Sequence, residues 1–153
     1  MFVKDLLAST SGSANHTLAA LGSSSLDKGN AFVEKLWQSA PEKPRPVVYS
    51  DYHDVYNDKN VDIVYIGTPH SLHKMNCLDA ISAGKHVLCE KPFTINAKET
   101  QEIIDAARAK GVFVMEGVYL SSRHVQMMPS SLSLITLPSC LDEVLSPLPG
   151  STL

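Results

Sequence analysis

The six residues from Asp62 to Gly67 constrain the fold more than any others. Asp-Ile-Val-Tyr-Ile-Gly is apolar and largely β-branched after its first position. A strand wetted on one face alternates apolar and polar residues; an unbroken apolar run marks a strand covered on both faces, as in a parallel sheet. The run closes on Gly67-Thr68-Pro69-His70, a helical pattern follows, and a second apolar strand ends in Glu90-Lys91-Pro92. The stretch from Asp62 to Tyr119 therefore organises the chain.

The flanking residues supply the rest of a sheet. Met1 to Ser9 has helical spacing, and Ser11-Gly12-Ser13 ends it. Thr17 to Leu21 reads as a strand closed by Gly22-Ser23-Ser24-Ser25. Asp27 opens a helix whose apolar face is Phe32, Val33, Leu36 and Trp37. Pro41, Pro44 and Pro46 forbid its continuation. Val47 to Tyr49 is a short strand, and Asp51 caps a short helix to Tyr56. A helix over Ser71 to Ala83 turns Leu72, Met75, Leu78 and Ile81 to one side and stops at Gly84. His86 to Cys89 is a strand. Asn96 and Glu99 form a capping box for a helix to Lys110 with Ile103, Ile104 and Ala107 inward. Val112 to Met115 is the last strand of the series. This alternation predicts an α/β fold with a doubly wound parallel sheet of Rossmann type.

The pattern breaks at Leu120. The last 34 residues hold eight Ser, eight Leu and four Pro. Leu132, Leu134, Ile135 and Leu137 can make a short strand, but no period is sustained. The expected organisation is an incomplete nucleotide-binding unit over 1–119 and a low-complexity, loosely structured, irregular C-terminal tail over 120–153.

A net charge of −3 leaves no basic footprint for nucleic acid. No apolar run approaches the roughly 18 residues of a membrane span, and no basic leader precedes an apolar one. Cys77, Cys89 and Cys140 show no metal-ligand spacing and read as reduced residues of a cytoplasmic protein.

In a doubly wound sheet, ligands bind beyond the carboxyl ends of the strands. That places Gly22–Ser25, Gly67–His73, Glu90–Phe93 and Glu116–Tyr119 near one another. Gly67 admits a close backbone approach, Thr68 offers a hydroxyl, and the following helix start offers N–H groups to phosphate; an ordinary strand-to-helix turn has the same composition. His70 and His73 share a helix start, but two ligands do not make a metal site, so capping or ligand hydrogen bonds are expected and no metal is. Lys91 at a cleft mouth can hydrogen-bond a substrate hydroxyl, with Glu90 pairing to it or accepting a ribose hydroxyl; the competing reading is a solvated ion pair. The Lys91–Pro92 bond is a candidate for the cis form. Hydroxyls at Ser23 and Ser24, in place of an acid, would not repel a 2′-phosphate. No Gly-x-Gly-x-x-Gly occurs anywhere in the chain.

Taken together, Asp62-Ile-Val-Tyr-Ile-Gly-Thr-Pro-His-x-x-His73, Ala83-Gly-Lys-His-Val-Leu-Cys-Glu-Lys-Pro-Phe93 and Val114-Met-Glu-Gly117 resemble the glucose–fructose oxidoreductase/inositol dehydrogenase (Gfo/Idh/MocA) family. The branch they resemble most is that of dimeric dihydrodiol dehydrogenases and NADP-dependent D-xylose 1-dehydrogenases. The resemblance extends weakly back to about Phe2. It implies an oxidoreductase that transfers hydride between NADP (or NAD) and a small sugar or cyclic diol, often as a homo-oligomer. Lys91 matches the family's catalytic lysine. Ser23, Ser24, Ile66, Gly67, Thr68, Pro69, His70, His73, Glu90, Lys91, Pro92 and Glu116 match its cofactor-binding loops.

The chain departs from the family pattern in three ways. The first strand and its glycine-rich loop, expected ahead of Phe2, are not in the sequence. Tyr119 replaces a Trp, and the substrate domain expected after it is absent. The implied sheet must then close up, leave a gap, or fill the gap with other chain. The 153 residues alone are expected to have negligible dehydrogenase activity and weak NADPH binding. The alternative reading is a nucleotide-binding or interaction protein without catalysis.

Overall fold

The computed structural model describes Val3, residues 16–117 and the backbone of 133–138. Five strands and four helices alternate through the central part. They are β1 (Thr17–Gly22), α1 (Leu26–Trp37), β2 (Val47–Tyr49), α2 (Tyr52–Asn57), β3 (Ile63–Gly67), α3 (His73–Ser82), β4 (His86–Glu90), α4 (Ala97–Lys110) and β5 (Val114–Gly117). A 3-10 turn at His70–Leu72 leads into α3. The sixth strand, β6 (Ser133–Pro138), comes from the C-terminal segment.

All pairings are parallel, and the order across the sheet is β2-β1-β6-β3-β4-β5. The gap expected between β1 and β3 is filled by other chain. Leu134 lies opposite Leu18 on one side and Ile63 on the other, and Thr136 opposite Leu21 and Tyr65. This corrects the expected boundary at residue 120. Residues 133–138 are an interior strand of the sheet, because two unpaired strand edges offer main-chain partners that a β-prone segment satisfies. The remainder of the tail, and most of Met1 to Ser9, lie outside the described residues; Val3 is helical and buried.

β3 is buried at every position, as its composition predicts. Val64 and Ile66 join Val87, Cys89, Ile81 and Ile103 in one core. On α1, Phe32, Val33, Leu36 and Trp37 pack with Leu18 and Leu21 in a second core. Side chains of successive strand residues alternate between faces, so α1 covers one face of the sheet and α3 and α4 the other.

Helix starts follow local chemistry. Ser25, Asp51 and Asn96 accept the N–H of Lys28, His53 and Glu99 respectively. Gly111, at φ 70°, ends α4 in the left-handed conformation glycine tolerates best. The expected inner face of α3 is rotated. His73, Asn76, Cys77, Ala80 and Ile81 are buried, whereas Leu72 and Met75 are exposed. Two polar residues displace apolar ones there because the strand-end loops supply them with hydrogen-bond partners. Among the described residues no helix is long and apolar enough to cross a membrane.

Candidate active site

Parallel pairing puts the ends of β1, β3, β4 and β5 on one edge of the sheet. β1 leads to β2 in one direction and β3 to β4 in the other, so the crevice of such a sheet opens where β6 ends. The turns after β3 and β4 are neighbours there, and a set of hydrogen bonds makes one unit of them.

His73 sits at the start of α3 and is 1% exposed. Its Nε2 lies 2.8 Å from the Thr68 carbonyl oxygen, and its Nδ1 2.9 Å from that of Pro92 and 3.2 Å from that of Phe93. Burial acts against the charged ring. The Cys89 sulfur and the carbonyls of Thr68 and Pro92 outweigh it, and the pKa is raised to about 9. Asn76, one turn on, donates to Thr68 Oγ1 at 2.9 Å. The Thr68 side chain is thus buried and already engaged.

The Lys91 loop is held from further sides. Glu90 Oε2 accepts the Lys91 N–H at 3.1 Å. The Tyr65 hydroxyl, from the middle of β3, donates to Glu90 Oε1. Glu116 Oε1, from β5, accepts the Phe93 N–H at 2.9 Å. The Lys91–Pro92 peptide bond is cis. Hydrogen bonds fix the backbone on both sides of Lys91 while its side chain stays exposed.

The expected site residues separate accordingly. Gly67, Pro69, His70, Glu90, Lys91 and Pro92 come together along the ends of β3 and β4, and Pro69, His70, Lys91 and Pro92 are exposed. Ile66 is fully buried in the core, so its side chain is not at the crevice. The His73 ring and the Thr68 side chain are buried and hydrogen-bonded to neighbouring groups. Glu116 is exposed but braces Phe93. Ser23 is 1% exposed, and its hydroxyl has no partner among the described residues. Ser24 is exposed, and Ser25 caps α1. Tyr119 lies outside the described residues. Both His73 nitrogens face carbonyls, so His70 and His73 form no ligand pair; among the described residues no group of three metal-binding side chains occurs. Sequence reading passed over Tyr65 and Asn76, since a Tyr within an apolar strand and an Asn within a helix carry no sign of their distant partners.

The 3-10 turn at Pro69 and the start of α3 have no side-chain cap, unlike the other three helices. The Leu72 and His73 N–H groups are taken up by the carbonyls of Pro69 and His70. A glycine-rich cradle for the diphosphate is not among the described residues: β6 ends at Pro138, opposite Gly67.

Residues 2–118 match the profile of the family described as "Oxidoreductase family, NAD-binding Rossmann fold". D-xylose 1-dehydrogenase (NADP(+)) of Hypocrea jecorina is 38% identical over 123 residues, 77% of this chain and 30% of that protein. Trans-1,2-dihydrobenzene-1,2-diol dehydrogenase of Sus scrofa is 36% identical over 106 residues, 69% of this chain and 30% of that protein. The solved structure of KijD10, a 3-ketoreductase from Actinomadura kijaniata in complex with NADP, superposes with a TM-score of 0.63 at 27% identity. It covers 78% of this chain and 34% of that one. The chain thus spans about 30% of the length of the curated relatives it matches.

Proposed function

We propose, from the premise that the chain belongs to the Gfo/Idh/MocA family of oxidoreductases with an NAD-binding Rossmann fold, that these residues form the nicotinamide-side wall of an NADP-dependent dehydrogenase. Its substrate is a CH–OH carbon of a sugar or cyclic diol. The similarity to the xylose and dihydrodiol dehydrogenases supports this class, and the NADP named for two of the relatives supports that cofactor. The observation that carries the reading is the Lys91 loop, braced on both sides while its ammonium remains exposed beside the Pro69–His70 turn.

The cofactor, when bound, supplies or accepts the hydride. The chain's own groups do the rest. Pro69 and His70 line the turn at the end of β3. Glu90 fixes the Lys91 backbone. In reduction the Lys91 ammonium gives a proton to the substrate carbonyl oxygen, and in oxidation the Lys91 amine takes the proton of the substrate hydroxyl. Ser24 is the exposed hydroxyl near the end of β1, suited to the adenosine side.

Absence of a Gly-x-Gly-x-x-Gly sequence favours a second reading, a nucleotide-binding or interaction protein without turnover. Titration of the 153-residue chain with NADPH, followed by nucleotide fluorescence, tests both. Weak, saturable binding that Lys91→Ala reduces further, with negligible turnover of xylose or a dihydrodiol, is the expected result. No binding at millimolar NADPH overturns the dehydrogenase reading and leaves, of the second, only the interaction protein. Micromolar affinity would show that the diphosphate is held without a glycine-rich loop and would overturn the expected weakness.

A further inference from the structure

A neutral imidazole has one N–H and one lone pair. In His73 both ring nitrogens face carbonyl oxygens at hydrogen-bond distance, Nε2 that of Thr68 and Nδ1 those of Pro92 and Phe93. Whichever neutral tautomer is drawn, one nitrogen lone pair points at an acceptor within 3 Å in a site closed to water. Only the imidazolium satisfies all three carbonyls at once.

We propose that His73 is a positioning residue that acts as an imidazolium, its two N–H groups tying the turn after β3 to the turn after β4 and so holding the Lys91 loop in place. Thr68 belongs to the first turn and Pro92 and Phe93 to the second. The ring is the one side chain among the described residues that hydrogen-bonds to both. The clamp does not depend on which substrate the site takes.

The surroundings suit a charged ring. The titratable group facing it is Cys89 on β4. The hydrogen bond that the Cys89 thiol donates to Cys77 on α3, and burial, hold that thiol well above its usual range, against the pull of His73. It therefore stays neutral. Asn76 on α3 is occupied by Thr68, and Lys74 on the same helix pairs outward with Glu102. Glu90 and Glu116 brace the Lys91 loop from β4 and β5, and neither hydrogen-bonds the ring. Carbonyl dipoles, rather than a carboxylate, favour the charge. Burial opposes the charge, and the Cys89 sulfur together with the carbonyls of Thr68 and Pro92 raises the ring pKa.

Nitrogen-15 NMR of the 153-residue chain, labelled at histidine and at backbone carbonyls, tests the proposal without a substitution. Near neutral pH both His73 ring nitrogens are expected to be protonated. On titration, the carbonyl carbons of Thr68, Pro92 and Phe93 are expected to shift with the same midpoint as the ring, near 9. A His73 ring with one unprotonated nitrogen at neutral pH would overturn the proposal. So would a ring titration that leaves those three carbonyls unmoved. Neither outcome depends on NADPH binding, so the clamp and the catalytic reading fail separately.

Discussion

Both ring nitrogens of His73 face carbonyl oxygens, so its protonation is coupled to folding. Its pKa is about 9 in the folded chain and about 6.5 when unfolded. A raised value in the folded state means that the folded chain binds the proton more tightly. The stabilisation is therefore complete below about pH 6.5 and is lost as pH rises through about 9. Tyr49, Tyr52 and Tyr56, all pushed upward first by burial, stay neutral over this window and do not obscure it. The thermal midpoint is expected to fall between these limits, and a His73→Asn variant to lose that slope. A wild-type midpoint flat over the window would contradict the linkage. At this scale the sequence revealed Lys91 and its loop, because charge straight after an apolar strand is conspicuous. It could not reveal that His73 and Thr68 face each other, since that depends on the azimuth of α3.

Elements were legible where one strong local signal set them. The unbroken apolar run of β3, the caps at Asp51 and Asn96, and the glycine stops at Gly84 and Gly111 all correspond to observed boundaries. The α3 face was misjudged because a count of apolar residues ignores polar ones that find buried partners. Packing between elements was not legible either, and α1 against β2 gives a test. Gly29 lies within α1, where alanine would gain about 1 kcal/mol of helix propensity. A Cβ there would meet Val48 Cγ1 at 2.4 Å and Ser23 Cβ at 3.2 Å. Val48 is stiff at χ1, and overpacking costs about 1–3 kcal/mol. Gly29→Ala is expected to destabilise the chain by about 1 kcal/mol in urea unfolding, despite its better propensity. Stabilisation would mean that α1 can ride away from β2 freely.

At the scale of the whole molecule, the strand at the centre of the sheet is the one furthest along the sequence. β6 pairs with β1 on one side and β3 on the other. Residues 118–132 connect it to β5, and fully extended they reach about 50 Å. Returning across three strand spacings requires about 14 Å sideways, so the connection is long enough. Sequence reading recognised the slot and a strand-forming segment but did not join them, because parallel partners so distant leave no local signature. A proline in an interior strand removes a ladder donor and is found essentially only at edges and bulges. Ile135→Pro, placed opposite Ala20 and Val64, is therefore expected to destabilise the chain by about 3 kcal/mol or more. Val47→Pro, at the first residue of the edge strand β2, is expected to cost far less. Urea unfolding of the two variants side by side measures the difference. Equal, small losses would show that the sheet does not depend on β6. An Ile135→Pro chain that loses its cooperative transition, while Val47→Pro keeps it, would establish that the C-terminal segment holds the two halves of the sheet together.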